Sequence, residues 1–300
     1  GDNTPINGAT IKWTLNGVNQ ADITSNNGTA GIYAIPIDCS SLSLGPNVVY
    51  IKAVLQFSQN HSFYFVFNLY AQTELNLIEH ESQNNTVYNR EDKFNVTVDF
   101  QDSALNQGID GATVTWTLDS TSQGSFTVNN GTAGVYNMSI DCLNLSPGPQ
   151  SVFITVEKSY HVNHSLYFLF ELQVETTLTL LDVECQNNSV YSRADSFNVQ
   201  VSFRDIVLNQ GIDGATVTWA LNGGSQSSFT NNNGTTGVYS IPINCLNLNP
   251  GPQSVFITVE KSYHVNHSLY FLFELRVQTD LTLLDVECQN NSVYSRADSF

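Results

Sequence analysis

The stretch IDGATVTWAL, residues 212–221, decides the fold of this chain. Apolar Ala215 and Trp219 alternate with polar neighbours, which is the period-two pattern of a β-strand with one buried face. The stretch recurs as IDGATVTWTL at 109–118 and as INGATIKWTL at 6–15, a spacing of about 103 residues. Because a repeat of this length can bury its own core, the sequence predicts a string of similar domains and not a solenoid.

Each repeat contains further short segments that alternate apolar and polar residues, separated by turn-forming clusters such as NNNGTTG and NLNPGPQ. No segment between them has the apolar period or the caps of a helix. About seven short strands in roughly a hundred residues, with a Trp on the third, are typical of an immunoglobulin-like domain. The sequence therefore predicts an all-β fold of tandem immunoglobulin-like β-sandwich domains with a repeat of about 103 residues.

The first strand of each repeat sets the domain boundaries. Apolar and polar residues alternate along this strand up to Leu180, and the alternation then shifts by one position at Leu181. Such a shift is typical of a strand that crosses from one sheet of a sandwich to the other. Because the last strand of one repeat runs almost directly into the first strand of the next, we expect only about two to four linker residues between domains. The predicted domains are an incomplete one at 1–71 that lacks its first two strands, complete ones at 72–174 and 175–277, and strand A with the start of strand B at 278–300.

The segment 278–300 carries strands that the 1–71 domain lacks. A sandwich without its first two strands exposes an apolar groove and unpaired backbone. We therefore expect 278–300 to insert into the 1–71 domain of another copy, a head-to-tail contact that does not close on itself. The alternative is that these residues are a window on a longer covalent array. The expected donor-strand residues are Leu281, Leu283, Leu284 and Val286.

Charge and hydropathy limit the partners of the chain. Ten basic and 27 acidic residues give a net charge of -17, and 41% of the residues are hydrophobic. An acidic chain repels phosphate, so nucleic acid and anionic membrane are not expected as partners. No apolar run is long enough to predict a membrane span, and the sequence is interpreted as a mature or excised extracellular or cell-surface segment.

Twelve N-x-S/T sequons predict N-linked glycans. Most of them lie in predicted turns, whereas Asn95 lies on the polar face of a strand. Nine recur at equivalent positions of the repeat, namely Asn27, Asn130 and Asn233; Asn60, Asn163 and Asn266; and Asn84, Asn187 and Asn290. The others are Asn95, Asn137 and Asn144.

The five cysteines fit an oxidising compartment. Strands A and E of an immunoglobulin-like domain end at the same pole, so Cys185 is expected to pair with Cys245. The rival pairing of Cys142 with Cys185 would have to span a strand of roughly 33 Å, which is too far. Cys142 is then a buried thiol, and Cys39 and Cys288 find partners only in another copy or in a continued chain.

Two motifs accompany the opening stretch and carry a family resemblance. The pattern G-T-x-G-x-Y-x-x-x-I occurs at 28–37, 131–140 and 234–243, and a Gly-Pro turn precedes the next strand. Together they resemble the tandem immunoglobulin-like repeats of prokaryotic, especially archaeal, cell-surface and filament proteins. The resemblance implies an extracellular structural role and no particular ligand. It does not extend to isopeptide crosslinks, because Lys12 is replaced by Thr115 and Thr218.

Metal and catalytic patterns are weak. An H-V-N-H turn at 161–164 and 264–267 has only His61 in the first copy, so a polar turn is the better interpretation. Carboxylates near the domain junctions make calcium a candidate cofactor, although they are not kept in every copy. They are Asp102, Asp110 and Glu175 with their copies Asp205 and Asp213, whereas the copy of Glu175 is the uncharged Gln278. No spacing typical of a nucleophile and its base is present, so we expect no enzymatic activity and no catalytic residue.

Some aromatic residues point away from the predicted core. In LYFLFEL at 166–172, one face of the strand carries Tyr167 and Leu169 opposite the core face. An apolar patch that recurs on every domain favours a lateral interface between copies. The predicted patch residues are Tyr50, Tyr64 and Val66, then Phe153, Tyr167 and Leu169, then Phe256, Tyr270 and Leu272.

The repeats, the acidic composition and the sequons favour a structural subunit of an extracellular filament or surface rod, assembled head-to-tail. The alternative is an adhesin or S-layer stalk whose repeats space a binding domain outside this sequence. In both cases the expected partners are copies of the chain or of its repeat.

Overall fold

The computed structural model describes residues 5–78, 83–181, 185–282, 293 and 295–297. The described residues form β-strands and no helix, and none of their segments is a helix that could cross a membrane. The chain divides into two compact units. One comprises residues 1–88, 92–145 and 149–171, and the other comprises residues 89–91, 146–148 and 172–300. We call residues 1–71, 72–174 and 175–277 repeats 1, 2 and 3.

Repeat 1 contains one sheet, and repeats 2 and 3 contain two sheets each. The strands of repeat 1 are β1 (Thr10–Leu15), β2 (Val18–Asn19), β3 (Gly45–Val54) and β4 (His61–Leu69), in the sheet order β2-β1-β3-β4. In both of the other repeats, a sheet of five strands corresponds to this one and a second sheet faces the other side of the core.

The described residues of repeat 2 form nine strands. They are β5 (Thr73–Ile78), β6 (Thr86–Asn89), β7 (Lys93–Asp102), β8 (Gln107–Gly108), β9 (Thr113–Leu118), β10 (Thr121–Phe126), β11 (Val135–Asp141), β12 (Gly148–Glu157) and β13 (His164–Gln173). One sheet has the order β10-β9-β12-β13-β6, and the other has the order β11-β7-β5 with β8 paired to β7.

Repeat 3 has the same arrangement. Its strands are β14 (Thr176–Leu181), β15 (Ser189–Ser192), β16 (Ser196–Asp205), β17 (Thr216–Leu221), β18 (Ser227–Phe229), β19 (Val238–Asn244), β20 (Gly251–Glu260) and β21 (His267–Arg276). The sheets have the orders β14-β16-β19 and β15-β21-β20-β17-β18. Buried residues of both sheets, among them Val201, Phe203, Ile257 and Phe271, form one hydrophobic core, so repeat 3 is a β-sandwich. The predicted all-β, immunoglobulin-like fold is confirmed.

The shift in the apolar pattern of strand A marks a crossing from one sheet to the other, as predicted. β14 pairs antiparallel with β16 in one sheet, whereas β15 pairs parallel with β21 in the other. The chain therefore crosses between the sheets after Leu181. The equivalent strands of repeat 2, β5 and β6, likewise belong to different sheets.

A tyrosine explains why the two recurrent motifs occur together. In repeat 3 the Tyr239 hydroxyl donates to the carbonyl oxygen of Ile212 at 2.8 Å and accepts the N–H of Ala215 at 3.0 Å. Tyr136 makes the same pair of bonds to Ile109 and Ala112 in repeat 2. The G-T-x-G-x-Y motif thus fastens the I-D-G-A loop, and burial raises the pKa of the Tyr239 phenol.

Candidate interaction surfaces

The inner face of the repeat 1 sheet is open. Phe65 is 51% exposed, whereas its equivalents Phe168 and Phe271 are fully buried. The reason is that residues 32–38, whose equivalents form β11 and β19, form no strand here. In repeats 2 and 3 those strands pair with β7 and β16. No strand of the described residues 5–71 takes that position.

One edge of the same sheet is also without a neighbour. In the order β2-β1-β3-β4, strand β4 is terminal, whereas β13 pairs onward with β6 and β21 pairs onward with β15. Among the described residues of repeat 1, the sheet thus has an uncovered apolar face and an available strand edge. That the 1–71 domain lacks its first two strands stays a prediction.

A pocket of about 640 Å³ opens beside Ile11, Gly31, Tyr33 and Ala53 in repeat 1. In repeat 3 the strand β16 occupies the corresponding region, where the Phe203 N–H donates to the Gly237 carbonyl at 2.8 Å. The end of strand B, the strand equivalent to β16, would therefore fill this pocket.

Most of the expected donor-strand residues lie outside the described residues, namely Leu283, Leu284 and Val286, together with Cys288. Leu281 is fully exposed. Its equivalents Leu75 and Leu178 lie on β5 and β14, which pair with β7 and β16. The segment equivalent to β15 is 292–295, and β15 pairs with the strand that corresponds to β4.

The linkers between repeats are short, as the sequence predicts. Three residues separate β4 from β5, and two separate β13 from β14. At the first junction Ala71 donates its N–H to the Tyr160 carbonyl at 3.0 Å and accepts the Val162 N–H at 3.2 Å. The Thr73 hydroxyl donates to the Val162 carbonyl. The turn between β12 and β13 therefore holds the backbone of the preceding linker.

The second junction repeats these bonds residue for residue. Val174 donates to the Tyr263 carbonyl at 2.9 Å and accepts the Val265 N–H at 3.0 Å. The Thr176 hydroxyl donates to the Val265 carbonyl. Because both linkers use the same positions of the repeat, the junction is a property of the repeat and not an accident of one pair.

An aromatic ring completes each junction. Tyr160 has a backbone φ of 59°, and Tyr263 has a φ of 62°, a left-handed conformation that is uncommon for bulky residues. A Cβ on Gly45 would lie 3.0 Å from the Tyr160 ring, and one on Gly148 would lie 3.0 Å from the Tyr263 ring. The Gly-Pro turn needs glycine for its positive φ of 101° at Gly45 and 113° at Gly148, and the tyrosine of the next repeat also leaves little room for a side chain there.

A buried ion pair at the second junction was missed by the sequence interpretation. Arg90 Nε lies 2.9 Å from Asp205 Oδ2, and both side chains are almost fully buried. Asp205 Oδ1 also accepts the N–H groups of Val207 and Leu208. The available signal was that arginine recurs at 90, 193 and 296 in a chain with only ten basic residues.

The candidate calcium ligands have other roles in the structure. Asp205 pairs with Arg90, and Asp110 Oδ1 accepts the Gly134 N–H at 3.1 Å. Asp213 makes the equivalent bond to Gly237 at 2.8 Å, and this bond lowers the pKa of its carboxyl. Within the described ranges, no group of three or more His, Cys, Asp or Glu side chains could hold a metal ion.

The histidine turns lie at the junctions. His161 Nδ1 lies 2.8 Å from the Ser159 carbonyl oxygen, and His264 Nδ1 lies 2.7 Å from that of Ser262. Burial lowers the pKa of His264, against the opposing effect of its bond to Ser262. These contacts suit the polar turn that the sequence favours.

The predicted lateral patch faces outward in all three repeats. Tyr64, Tyr167 and Tyr270 are strongly exposed, and each contacts an aromatic ring of the neighbouring strand. The centroid distances are 4.9 Å for Tyr50–Tyr64, 4.7 Å for Phe153–Tyr167 and 4.8 Å for Phe256–Tyr270. Val66, Leu169 and Leu272 are exposed beside them. A role of this patch in self-association stays a prediction.

The Cys185–Cys245 disulfide also stays a prediction. Both residues belong to the buried core of repeat 3, where Cys185 Sγ donates to the Asn198 carbonyl at 3.2 Å. Burial raises the pKa of the Cys245 thiol. Because β16 lies between β14 and β19, the bond requires Cys185 to reach across β16, since two strand spacings are about 10 Å. Cys142 is buried, as expected, and Cys39 is exposed.

The sequons differ in how accessible they are. Asn27, Asn130 and Asn233 are exposed, and each side-chain oxygen accepts the N–H of the residue two positions later. Asn60, Asn163, Asn266 and Asn144 are also exposed, Asn84, Asn187, Asn95 and Asn137 are half-buried, and Asn290 lies outside the described residues. The Asn137 Oδ1 atom is buried. Glycosylation itself stays a prediction.

Comparison with known proteins supports the fold. No protein-family model and no curated protein matches the chain. The chain is similar to the solved structure of a tetra-tandem repeat in the extending region of a large adhesion protein, with a TM-score of 0.55 and 17% identity over 91% of this chain and 68% of that one. It is less similar to immunoglobulin domains 1–4 of Sidekick-1, with a TM-score of 0.38 and 9% identity over 90% and 68% of the two chains. At these identities the likeness shows the fold alone, and nothing in it bears on an archaeal source.

Proposed function

We propose that the chain is a structural repeat region of an extracellular surface protein, in which immunoglobulin-like domains act as a stiff spacer. The observation that carries this proposal is the bonded linker. Ala71 and Val174 each exchange two backbone hydrogen bonds with the next repeat, and a tyrosine fills the space against the preceding Gly-Pro turn. A linker of two or three residues with fixed partners has little freedom to bend. The similar adhesion-protein repeat is described as part of an extending region, which agrees with a spacer.

Small-angle X-ray scattering of the whole chain tests the spacer. We expect a narrow distribution of dimensions whose maximum does not change between low and moderate salt, because the junction bonds are backbone bonds and the ion pair is buried. A broad ensemble of domain orientations would contradict the proposal. Replacing Thr73 and Thr176 by Val removes one junction bond each and should broaden the distribution.

The second candidate is a filament subunit that assembles head-to-tail by strand complementation. The exposed face around Phe65 and the terminal position of β4 favour it. In this arrangement residues 292–295 of one copy would pair with β4 of the next, as β15 pairs with β21. Strand A of the donating copy would join the acceptor only if a strand B lies beside it, because strand A pairs with strand B in a complete repeat.

A disulfide ladder tests this second candidate. If Cys288 of one copy reaches the exposed Cys39 of the next, non-reducing electrophoresis of assembled protein should show a ladder that collapses on reduction. Cys288→Ser should abolish the ladder, whereas Cys142→Ser should not, because Cys142 is buried. A ladder that survives Cys288→Ser would contradict the predicted link.

A further inference from the structure

Two of the recurrent sequons lie directly beside the lateral patch. The Asn187 side-chain oxygen accepts the Leu272 N–H at 2.7 Å, and the Asn188 N–H donates to the Leu272 carbonyl at 2.7 Å. In repeat 2, Leu169 makes the same two bonds, one of them to the Asn84 side-chain oxygen. Because Leu169 and Leu272 belong to the lateral patch, each sequon asparagine is held at the border of that patch.

This placement distinguishes the two sequons from others in the chain. The side-chain oxygens of Asn130 and Asn233 accept the N–H two positions later, inside their own exposed turns. An N-linked glycan is attached through the side-chain nitrogen and leaves the side-chain oxygen as a hydrogen-bond acceptor. A glycan on Asn187 is therefore compatible with the bond to Leu272, and its first sugar begins next to the patch.

The surface that extends from Asn187 is apolar and aromatic. Leu272 and Tyr270 are two positions apart on one strand, so their side chains share a face and are separated by about 7 Å along it. Tyr270 is 59% exposed, and its ring centroid lies 4.8 Å from that of Phe256. An exposed apolar surface that recurs in this way marks a place that another group covers.

Polar groups border the same surface. A pocket of about 430 Å³ in repeat 2 lies beside Leu169, and its polar lining residues include Asn85, Asp119, Ser151 and Glu171. A sugar ring has apolar faces and hydroxyl groups at its edge, so it fits an apolar floor that has hydrogen-bonding groups around it. A second copy fits less well, because a chain with a net charge of -17 brings further acidic groups to Asp119 and Glu171.

We propose that N-linked glycans on Asn84 and Asn187 fold back onto the lateral patches of repeats 2 and 3 and cover their aromatic pairs. A glycan attached at the border of a patch has an effective concentration of about millimolar there, so contacts too weak to hold a free sugar are sufficient. A sugar with a millimolar dissociation constant covers the patch about half of the time. The proposal rests on the extracellular location in the proposed function but not on the stiffness of the junctions, which scattering measures independently.

Glycopeptide mass spectrometry of the whole chain, secreted from a eukaryotic host that attaches N-linked glycans, tests the modification itself. Glycan mass is expected on the peptides that contain Asn84 and Asn187. Both asparagines found unmodified would overturn the proposal, whether or not Asn130 and Asn233 carry glycans.

Hydroxyl-radical footprinting of the same secreted protein tests whether the glycans cover the patches. Ser189→Ala removes the sequon but keeps Asn187 and its bond to Leu272, so only the glycan is lost. Tyr270 should then be oxidised about twofold faster, because a patch covered half of the time becomes free. Tyr167 should not change in this variant, since the glycan of repeat 2 is still present.

Two further variants complete the comparison. Thr86→Ala removes the sequon of Asn84 and should accelerate the oxidation of Tyr167 but not that of Tyr270. Thr235→Ala removes the sequon of Asn233, which lies in an exposed turn, and should change neither tyrosine. Equal oxidation of Tyr270 in the wild type and Ser189→Ala would overturn the proposal. Protection that persists in Ser189→Ala and rises with protein concentration would also overturn it, because a second copy would then be the group that covers the patch.

Discussion

Replacing Phe271 by Ala is expected to destabilise repeat 3 by about 3–5 kcal/mol, whereas Phe65→Ala should cost repeat 1 less than about 1 kcal/mol. The two residues are equivalent in the repeat. Phe271 is fully buried between the two sheets, and Phe65 is about half exposed on an uncovered sheet. The difference in cost therefore measures how much less of its side chain Phe65 buries than Phe271 does.

Chemical denaturation followed by tryptophan fluorescence can compare the two variants, because each repeat has one tryptophan. Separate transitions for the repeats are expected, so the unfolding free energy should be assigned repeat by repeat. Tyr270→Ala is the matched control, since Tyr270 is exposed on the outer face of the same strand as Phe271. Equal losses for Phe65→Ala and Phe271→Ala in dilute solution would show that the inner face of repeat 1 is covered.

The periodic features of the fold could be predicted from the sequence because they depend on neighbours along the chain. Alternation around Trp219 places one face of β17 in the core, and the parity shift after Leu180 places strand A in two sheets. Both follow from the strand period of two. The outward position of Tyr167 and Tyr270 follows from the same rule and was predicted with it.

The junction contacts could not be predicted in this way. Arg90 and Asp205 are 115 positions apart, and each lies beyond the alternating part of its strand. Neither residue belongs to a local pattern, so only their recurrence gave a signal. The role of Tyr160 was hidden for a different reason: its left-handed φ breaks the strand pattern, and an aromatic residue in a turn does not by itself indicate a partner.

Repeat 1 shows a limit of arguing by analogy between copies. Its sequence at 28–37 matches the other copies, but residues 32–39 form no strand, and no strand of the described residues 5–71 takes the place of β7 or β16 beside them. Tyr33 still accepts the Ala9 N–H at 2.9 Å, so the local clip forms without the sheet. The motif therefore specifies the loop contact, whereas the strand depends on long-range pairing.

Arg90→Met is expected to destabilise the second junction by about 3–5 kcal/mol, because it leaves the buried Asp205 carboxylate without its cation. The backbone N–H groups of Val207 and Leu208 would remain its only described partners. The change should appear as earlier unfolding of repeat 3, followed by the fluorescence of Trp219. Lys93→Met is the matched control: Lys93 Nζ lies 2.7 Å from Asp141 Oδ2, but both side chains are exposed, so the loss should stay below about 1 kcal/mol.

The double variant Arg90→Met with Asp205→Asn separates the effect of the Asp205 charge from the effect of its hydrogen bonds to the turn. Asparagine keeps an oxygen that can accept the Val207 and Leu208 N–H groups but carries no charge, so the double variant should be more stable than Arg90→Met alone. This coupling between the two positions is the sign of a paired buried charge. Equal losses for Arg90→Met and Lys93→Met, or additive losses in the double variant, would mean that the ion pair does not stabilise the junction. The stiffness of the spacer would then depend on the linker bonds and the tyrosine alone.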